Sequence, residues 1–182
     1  MMIKKIENVL EERLNPVKHW EVLDYFIFPD GTKELVQPVS HNVVTERLSI
    51  AIACLMKREP GYDGILYWAL GSGSPSWSED NPPSPSDTDT GLQNEFYRKE
   101  IPTANKVFID SDNNVSHTPT NRVQASITFN EDEANGKIME FGIFAGTATS
   151  SLGTGLMINH KIHPAIYKSE LVRLEKVIRF TF

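Results

Sequence analysis

The residues best suited to chemistry in this sequence are two histidines and one cysteine. His160 and His163 are three residues apart, a spacing that could hold a metal ion on a helix. Pro164 and the surrounding pattern indicate a strand instead, and no acidic residue stands beside the histidines in the sequence, so we expect packed or solvated side chains. Cys54 lies in an apolar helical pattern, which predicts a small core residue rather than a nucleophile.

Two segments carry oxygen-bearing side chains at alternate positions, as calcium loops do. They are residues 87–91 (Asp-Thr-Asp-Thr-Gly) and 110–114 (Asp-Ser-Asp-Asn-Asn). Neither matches the full calcium loop, with its glycine at the sixth and glutamate at the twelfth position, so we predict turns and caps. Residues 71–74 (Gly-Ser-Gly-Ser) lack the lysine of a phosphate-binding loop. We therefore expect no catalytic residue, no cofactor and no metal.

Composition narrows the function further. The chain has 182 residues, one cysteine and a formal net charge of −6. An acidic chain without a run of Lys and Arg lacks the footprint of a general nucleic-acid binder. A single cysteine excludes an intramolecular disulfide and fits a reducing cytoplasm. No apolar run approaches the roughly 20 residues that span a bilayer, and the start of the chain does not predict a secretory signal.

The first half of the chain predicts helices around a pair of strands. Residues 2–14 have apolar positions at helical spacing, which predicts a helix within an N-terminal extension of residues 1–18. Residues 20–28 and 33–39 read as two strands around a turn at residues 29–32. Residues 40–58 predict a central helix, capped by Ser40, whose wide apolar face should be well buried.

The middle of the chain predicts a long loop held by a short helix. Residues 65–70 read as a buried strand, and residues 71–89 form a loop rich in Ser, Pro, Gly and Asp. Loops of this length are often functional or disordered. Residues 90–101 predict a short helix with Leu92 and Phe96 on one side.

The remainder predicts strands. Alternation over residues 123–129 predicts a half-buried strand, and Asn135-Gly136 predicts a hairpin turn into a strand over residues 137–145. A closing strand follows residue 172, with an irregularity at Glu175-Lys176. The order of elements predicts one domain over residues 19–182, of the α+β class and predominantly antiparallel, resembling a sandwich or barrel.

Several of these segments resemble a pattern found in small virion proteins of tailed bacteriophages and prophages. In that pattern a strand ends in a Gly-Ser or Gly-Thr corner, and Thr-Asp-Thr and then Leu-x-x-Glu-x-x-Arg follow. Here these elements are residues 67–73, 87–90 and 92–98, with Gly91 intervening. Residues 140–144 resemble a Glu-x-Gly-Leu-Phe strand. Residues 157–160 with Lys168 resemble a Met-Phe-Asn-Arg stretch before a lysine, except that His160 replaces the arginine.

The resemblance covers roughly residues 67–182 and implies a structural part of a tail, baseplate, collar or fibre-attachment apparatus. Such a protein would be made in the host bacterial cytoplasm and would work in the virion as a homo-oligomer in contact with other virion proteins. It would bind neither nucleic acid nor membrane. The alternatives are a module on a fibre that binds a host surface or carbohydrate and, less favoured, a metal-dependent hydrolase that uses the histidines.

The resemblance also assigns roles to individual residues. Leu92 and Phe96 would fix the short helix on the sheet, and the charges of Glu95 and Arg98 would orient the loop, paired with each other or with Glu140 and Lys168. Trp77 would be an interface anchor in the loop. The candidate interface and structural residues are Trp77, Asp87, Asp89, Leu92, Glu95, Phe96, Arg98, Glu140 and Lys168.

Overall fold

A computed structural model describes residues 19–36 and 42–182, which form two antiparallel sheets and one α-helix. The predicted fold class, predominantly antiparallel β with one central helix, is confirmed, and one sheet curls into a half-barrel. The predicted N-terminal helix and the Ser40 cap lie outside the described residues. No helix among the described residues is long and apolar enough to cross a bilayer.

The elements follow one another as strands interrupted by one helix and one short 3-10 turn at Thr103–Asn105. They are β1 (His19–Ile27), β2 (Lys33–Leu35), β3 (Val43–Val44), α1 (Arg47–Lys57), β4 (Asp63–Gly71), β5 (Glu95–Glu100), β6 (Lys106–Ile109), β7 (Val115–Ser116), β8 (Arg122–Phe129), β9 (Gly136–Gly146), β10 (Leu156–Lys168) and β11 (Arg173–Thr181). The first sheet has the order β2-β1-β11-β8-β6-β7, and the second β3-β10-β9-β4-β5.

The main core lies between the two sheets and beneath α1. The alternation predicted for β8 is confirmed, because Ala125, Ile127 and Phe129 are buried there. Phe141 of β9 and Trp68 of β4 face them from the second sheet, and their ring centroids are 5.3 Å apart. A smaller apolar cluster covers the opposite, outer face of the second sheet. The second sheet is therefore covered on both faces.

The central helix is shorter and more exposed than predicted. Residues 43–44 form β3, which pairs with β10, so α1 begins at Arg47. Two consecutive β-branched valines suit a strand, and pairing with β10 outweighs the helical periodicity. The helix is not well buried, since Ile50, Leu55 and Met56 are exposed.

Residues 90–101 do not form the predicted helix. Residues 95–100 are β5, which pairs antiparallel with β4 at the edge of the second sheet. Helix propensity is a weak preference, and the hydrogen bonds of an open sheet edge outweigh it here. One extra residue on β5 opposite Leu70 and Gly71 forms a bulge, which brings Glu95 and Arg98 to the same side of the strand.

The Asn135-Gly136 turn does not connect a hairpin. β8 belongs to the first sheet and β9 to the second, so the chain crosses between sheets at this point. Asn-Gly marks a place where the backbone can reverse, and Gly136 does adopt a positive φ of 126°. The hairpin around residues 29–32 is confirmed, because β1 and β2 pair in register.

The prediction of a strand irregularity at Glu175-Lys176 is wrong. β11 pairs without a register shift with both β1 and β8. The sequence pattern is broken by a charged residue at an inward position, because Lys176 is fully buried.

Candidate functional site

The outer face of the second sheet gathers most of the residues singled out in the sequence. Two loops, residues 72–94 and 147–155, lie over this face. We call Asp89, Glu95, Arg98, Glu140 and His160 the outer cluster. Three of them, Arg98, Glu140 and His160, are buried. A buried charge is costly unless it is paired and hydrogen-bonded, so the contacts of these side chains show what they do.

Glu140 of β9 holds the end of the first loop. Its carboxylate accepts hydrogen bonds from the backbone N–H groups of Gln93 at 3.1 Å and Asn94 at 3.0 Å. A Cβ atom on Gly71 would lie 2.5 Å from Glu140 Oε1, so a glycine at this position leaves room for the carboxylate. Glu140, a charged residue in an otherwise apolar strand, is therefore the anchor of the loop.

His160 of β10 joins Glu140 to the middle of the same loop. Its Nε2 lies 3.2 Å from Glu140 Oε2, and its Nδ1 lies 2.7 Å from Asp89 Oδ2. Both ring nitrogens therefore face a carboxylate oxygen, and the ring lies between the sheet and the loop. Asp89 also accepts from the N–H of Ser86 at 2.8 Å. Sequence reasoning missed these partners because they are distant in the chain.

Arg98 of β5 fixes the second loop. It makes a two-pronged ion pair with Glu95, at 2.5 and 3.0 Å, as one of the predicted alternatives had it. Its Nη1 donates to the carbonyl oxygens of Thr149 and Thr154, and Glu95 accepts from the N–H of Gly153. The guanidinium carbon lies 4.5 Å from the centre of the Phe144 ring. The pair thus binds loop 147–155 to the sheet.

Lys168 lies away from the outer cluster. It is buried, and its Nζ donates to the carbonyl of Asn130 at 2.6 Å and to Oδ1 of Asn135 at 2.9 Å. Burial lowers the pKa of Lys168, against the opposing charges of Glu131 and Glu133. It pairs with neither Glu95 nor Arg98, and stabilises the crossing between β8 and β9.

The other candidates contact the protein's own surface. The half-buried Trp77 packs over Gly73, where a Cβ atom would lie 2.5 Å from its ring. Leu92 packs on the outer apolar cluster and Phe96 on the main core. Asp87 is exposed, and its carbonyl accepts from the N–H of Glu46 at the start of α1.

The two histidines that suggested a metal site point in opposite directions. Residues three apart on a strand lie on opposite faces, and His163 packs inside the main core while His160 faces outward. Within residues 19–36 and 42–182, no three His, Cys, Asp or Glu side chains are arranged to hold a metal. Residues 110–114 form the predicted turn, in which Asp110 accepts from the N–H groups of Asp112 and Asn114.

A second charged group, which we call the inner cluster, lies in the main core. It consists of Asp24, Lys161, His163 and Lys176, each at most 5% exposed. Burial opposes ionisation of Asp24, but the charges of Lys176 and Lys161 outweigh it and lower the pKa of the carboxyl. Burial lowers the pKa of Lys161 to about 8 and that of His163 to about 3. One feature of the sequence could have revealed this cluster. Asp24 in β1 and Lys176 in β11 each occupy a position that the strand alternation assigns to the apolar, inward side.

Comparison with models of known protein families and with curated protein sequences finds no match for this chain. The arrangement of its residues therefore carries the functional interpretation. The outer cluster binds two loops to the sheet. Its polar side chains hydrogen-bond one another and backbone groups of these loops.

Replacing Glu140 by Gln should release loop 72–94. An amide offers one acceptor and adds a donor where two backbone N–H groups point at the carboxylate, so we expect a loss of about 1–3 kcal/mol in the free energy of unfolding. Hydrogen exchange at residues 86–94 should increase. Glu79→Gln is the matched control, since Glu79 lies in the same loop with an exposed side chain. Equal exchange in both variants would contradict the anchoring role of Glu140.

His163 should make the fold sensitive to acid well above the range where carboxylates titrate. Its pKa in the folded chain is about 3 against an ordinary 6.5, so below pH 6.5 the unfolded chain binds more protons. Stability contributed by the neutral ring is complete above pH 6.5 and falls by about 1.4 kcal/mol per unit as the pH drops towards 4. Denaturant unfolding of His163→Gln should lack this slope, whereas His117→Gln, at an exposed histidine, should keep it.

Proposed function

We propose that this chain is a structural subunit of a tailed-phage virion, which works by associating with copies of itself and with other virion proteins. The resemblance of residues 67–182 to such proteins supports this, because its motif residues have structural contacts here. Leu92, Glu95, Arg98 and Glu140 fix two loops on one sheet face. These motif residues determine the shape of an outer surface, which is the role expected in a protein that works by contacting other subunits.

The observation that carries the proposal is a set of exposed apolar side chains on α1. Ile50 is 52% exposed, Leu55 44% and Met56 83%. Beside them an apolar pocket of about 110 Å³ lies between α1 and the ends of β4, β10 and β11. Leu55 lines this pocket, and Ile50 and Met56 lie on either side of it around the helix, about 120° apart. Exposed apolar side chains that flank an apolar pocket are typical of a protein interface.

The sheet edges favour contact through α1 rather than strand addition. β2, β3 and β7, at three of the four edges, are only two or three residues long. β5, at the fourth, carries Glu95, Lys99 and Glu100. Short and charged edge strands resist pairing with another chain. We therefore place the contact between subunits on α1.

Substitution on α1 should abolish self-association. We expect the wild-type chain to form a complex at micromolar concentration, and the double variant Ile50→Lys, Met56→Glu to sediment at the monomer mass of 20.5 kDa. Leu171→Glu, at an equally exposed leucine in the β10–β11 turn, should leave association unchanged. A wild-type chain that is monomeric at every concentration would refute this contact, as would dissociation of the Leu171 variant.

The virion assignment has its own test. In phage particles purified from the source bacterium, mass spectrometry should detect the chain in a fixed ratio to the other virion proteins. The ratio should stay constant through a density gradient, because a structural subunit is built into the particle. A chain found only in the soluble cell extract would contradict the virion assignment without affecting the contact on α1.

A further inference from the structure

The centre of the inner cluster is a carboxylate and an amine held against each other across two strands. Asp24 of β1 and Lys176 of β11 are register partners, and both face the main core. Lys176 Nζ lies 2.8 Å from Asp24 Oδ1, with side-chain exposures of 0% and 1%. The Phe141 ring covers the amine, its centre 4.3 Å from Nζ.

Among the described residues, this pair has no further hydrogen-bonding support. Apart from the contact between them, no described group hydrogen-bonds the Asp24 carboxylate or the Lys176 amine. A buried ion pair offsets its loss of hydration only when further hydrogen bonds satisfy the remaining protons and lone pairs. The two side chains therefore satisfy each other alone, and a neutral product would remove the cost of keeping two charges in the core.

We propose that Asp24 and Lys176 react to form an intramolecular amide bond between Asp24 Cγ and Lys176 Nζ. The C–N bond forms as one C–O bond of the carboxyl group breaks. Two hydrogens of the ammonium leave with the released oxygen as water, so an ammonium and a carboxylate become one neutral amide and one water molecule. No oxidant, reductant or activating group is required.

The buried position of the pair favours formation of the amide bond. In water an acid and an amine ionise, and their ions do not condense. In the core a proton can pass from Lys176 to Asp24 without a change in net charge, which gives the neutral amine and acid that react. Fixed strands hold the two atoms in place, and such intramolecular positioning can be equivalent to very high reactant concentrations. Water that forms in an apolar core is expelled.

Two other members of the inner cluster interact electrostatically with this pair. His163 Nδ1 donates to the carbonyl of Pro164 at 2.7 Å, so its Nε2 carries no proton; that nitrogen is buried without a hydrogen-bond partner among the described residues. Lys161, whose charge attracts the Asp24 carboxylate, can stabilise the oxyanion that forms at Cγ.

Intact mass spectrometry of the denatured full-length chain tests the proposal. The wild-type chain should be lighter than its sequence mass by one water molecule. Asp24→Ala and Lys176→Met should both have their full sequence masses. Asp24→Asn should form the same amide by releasing ammonia, and so reach the same final mass as the wild type.

Peptide mapping locates the bond and excludes other dehydrations. Trypsin should yield a branched peptide that joins residues 19–33 to residues 174–179, because an amide at Lys176 blocks cleavage there. Lys33→Met is the matched control: Lys33 and Glu175 also lie 2.8 Å apart, but exposed, so the loss of water should persist. A wild-type chain at full mass, or a water loss that survives Lys176→Met, would overturn the proposal.

Discussion

The buried carboxylate of Glu140 is the constraint on which the outer half of this fold depends. A charge at 0% exposure in a strand must be satisfied by groups brought to it, since water cannot reach it. The end of loop 72–94 supplies two backbone N–H groups, and His160 supplies a ring nitrogen. His160 in turn fixes Asp89, so a loop of more than twenty residues without regular structure has a defined path.

β10 links the outer and inner clusters. Its alternation places His160 under the loops and His163 with Lys161 in the main core, opposite Asp24 and Lys176. Each polar side chain therefore sits among partners from elements that are distant in sequence. Such networks favour one arrangement of sheets and loops, because any other would leave buried charges unpaired.

The exposed apolar residues of α1 contrast with the outer face of the second sheet. On the outer face of the second sheet, the polar side chains of the outer cluster pair with one another and with backbone groups. On α1, by contrast, Ile50, Leu55 and Met56 remain exposed beside an apolar pocket. The proposed role as an assembled virion subunit rests on this contrast. The internal amide would serve the same role if both proposals hold, because a bond between β1 and β11 would resist separation of strands that lie far apart in the chain.

The sequence alone determined the elements whose pattern is local. Alternation in β8, the turn between β1 and β2 and the Asp110 turn follow from neighbouring residues. The tertiary structure decided what depends on distant partners. β5 is a strand because β4 offers an open edge, and Asn135-Gly136 joins two sheets because β8 pairs with β11 rather than with β9. The carboxylates around His160 come from positions 89 and 140, and no spacing within one segment can encode a contact across that separation.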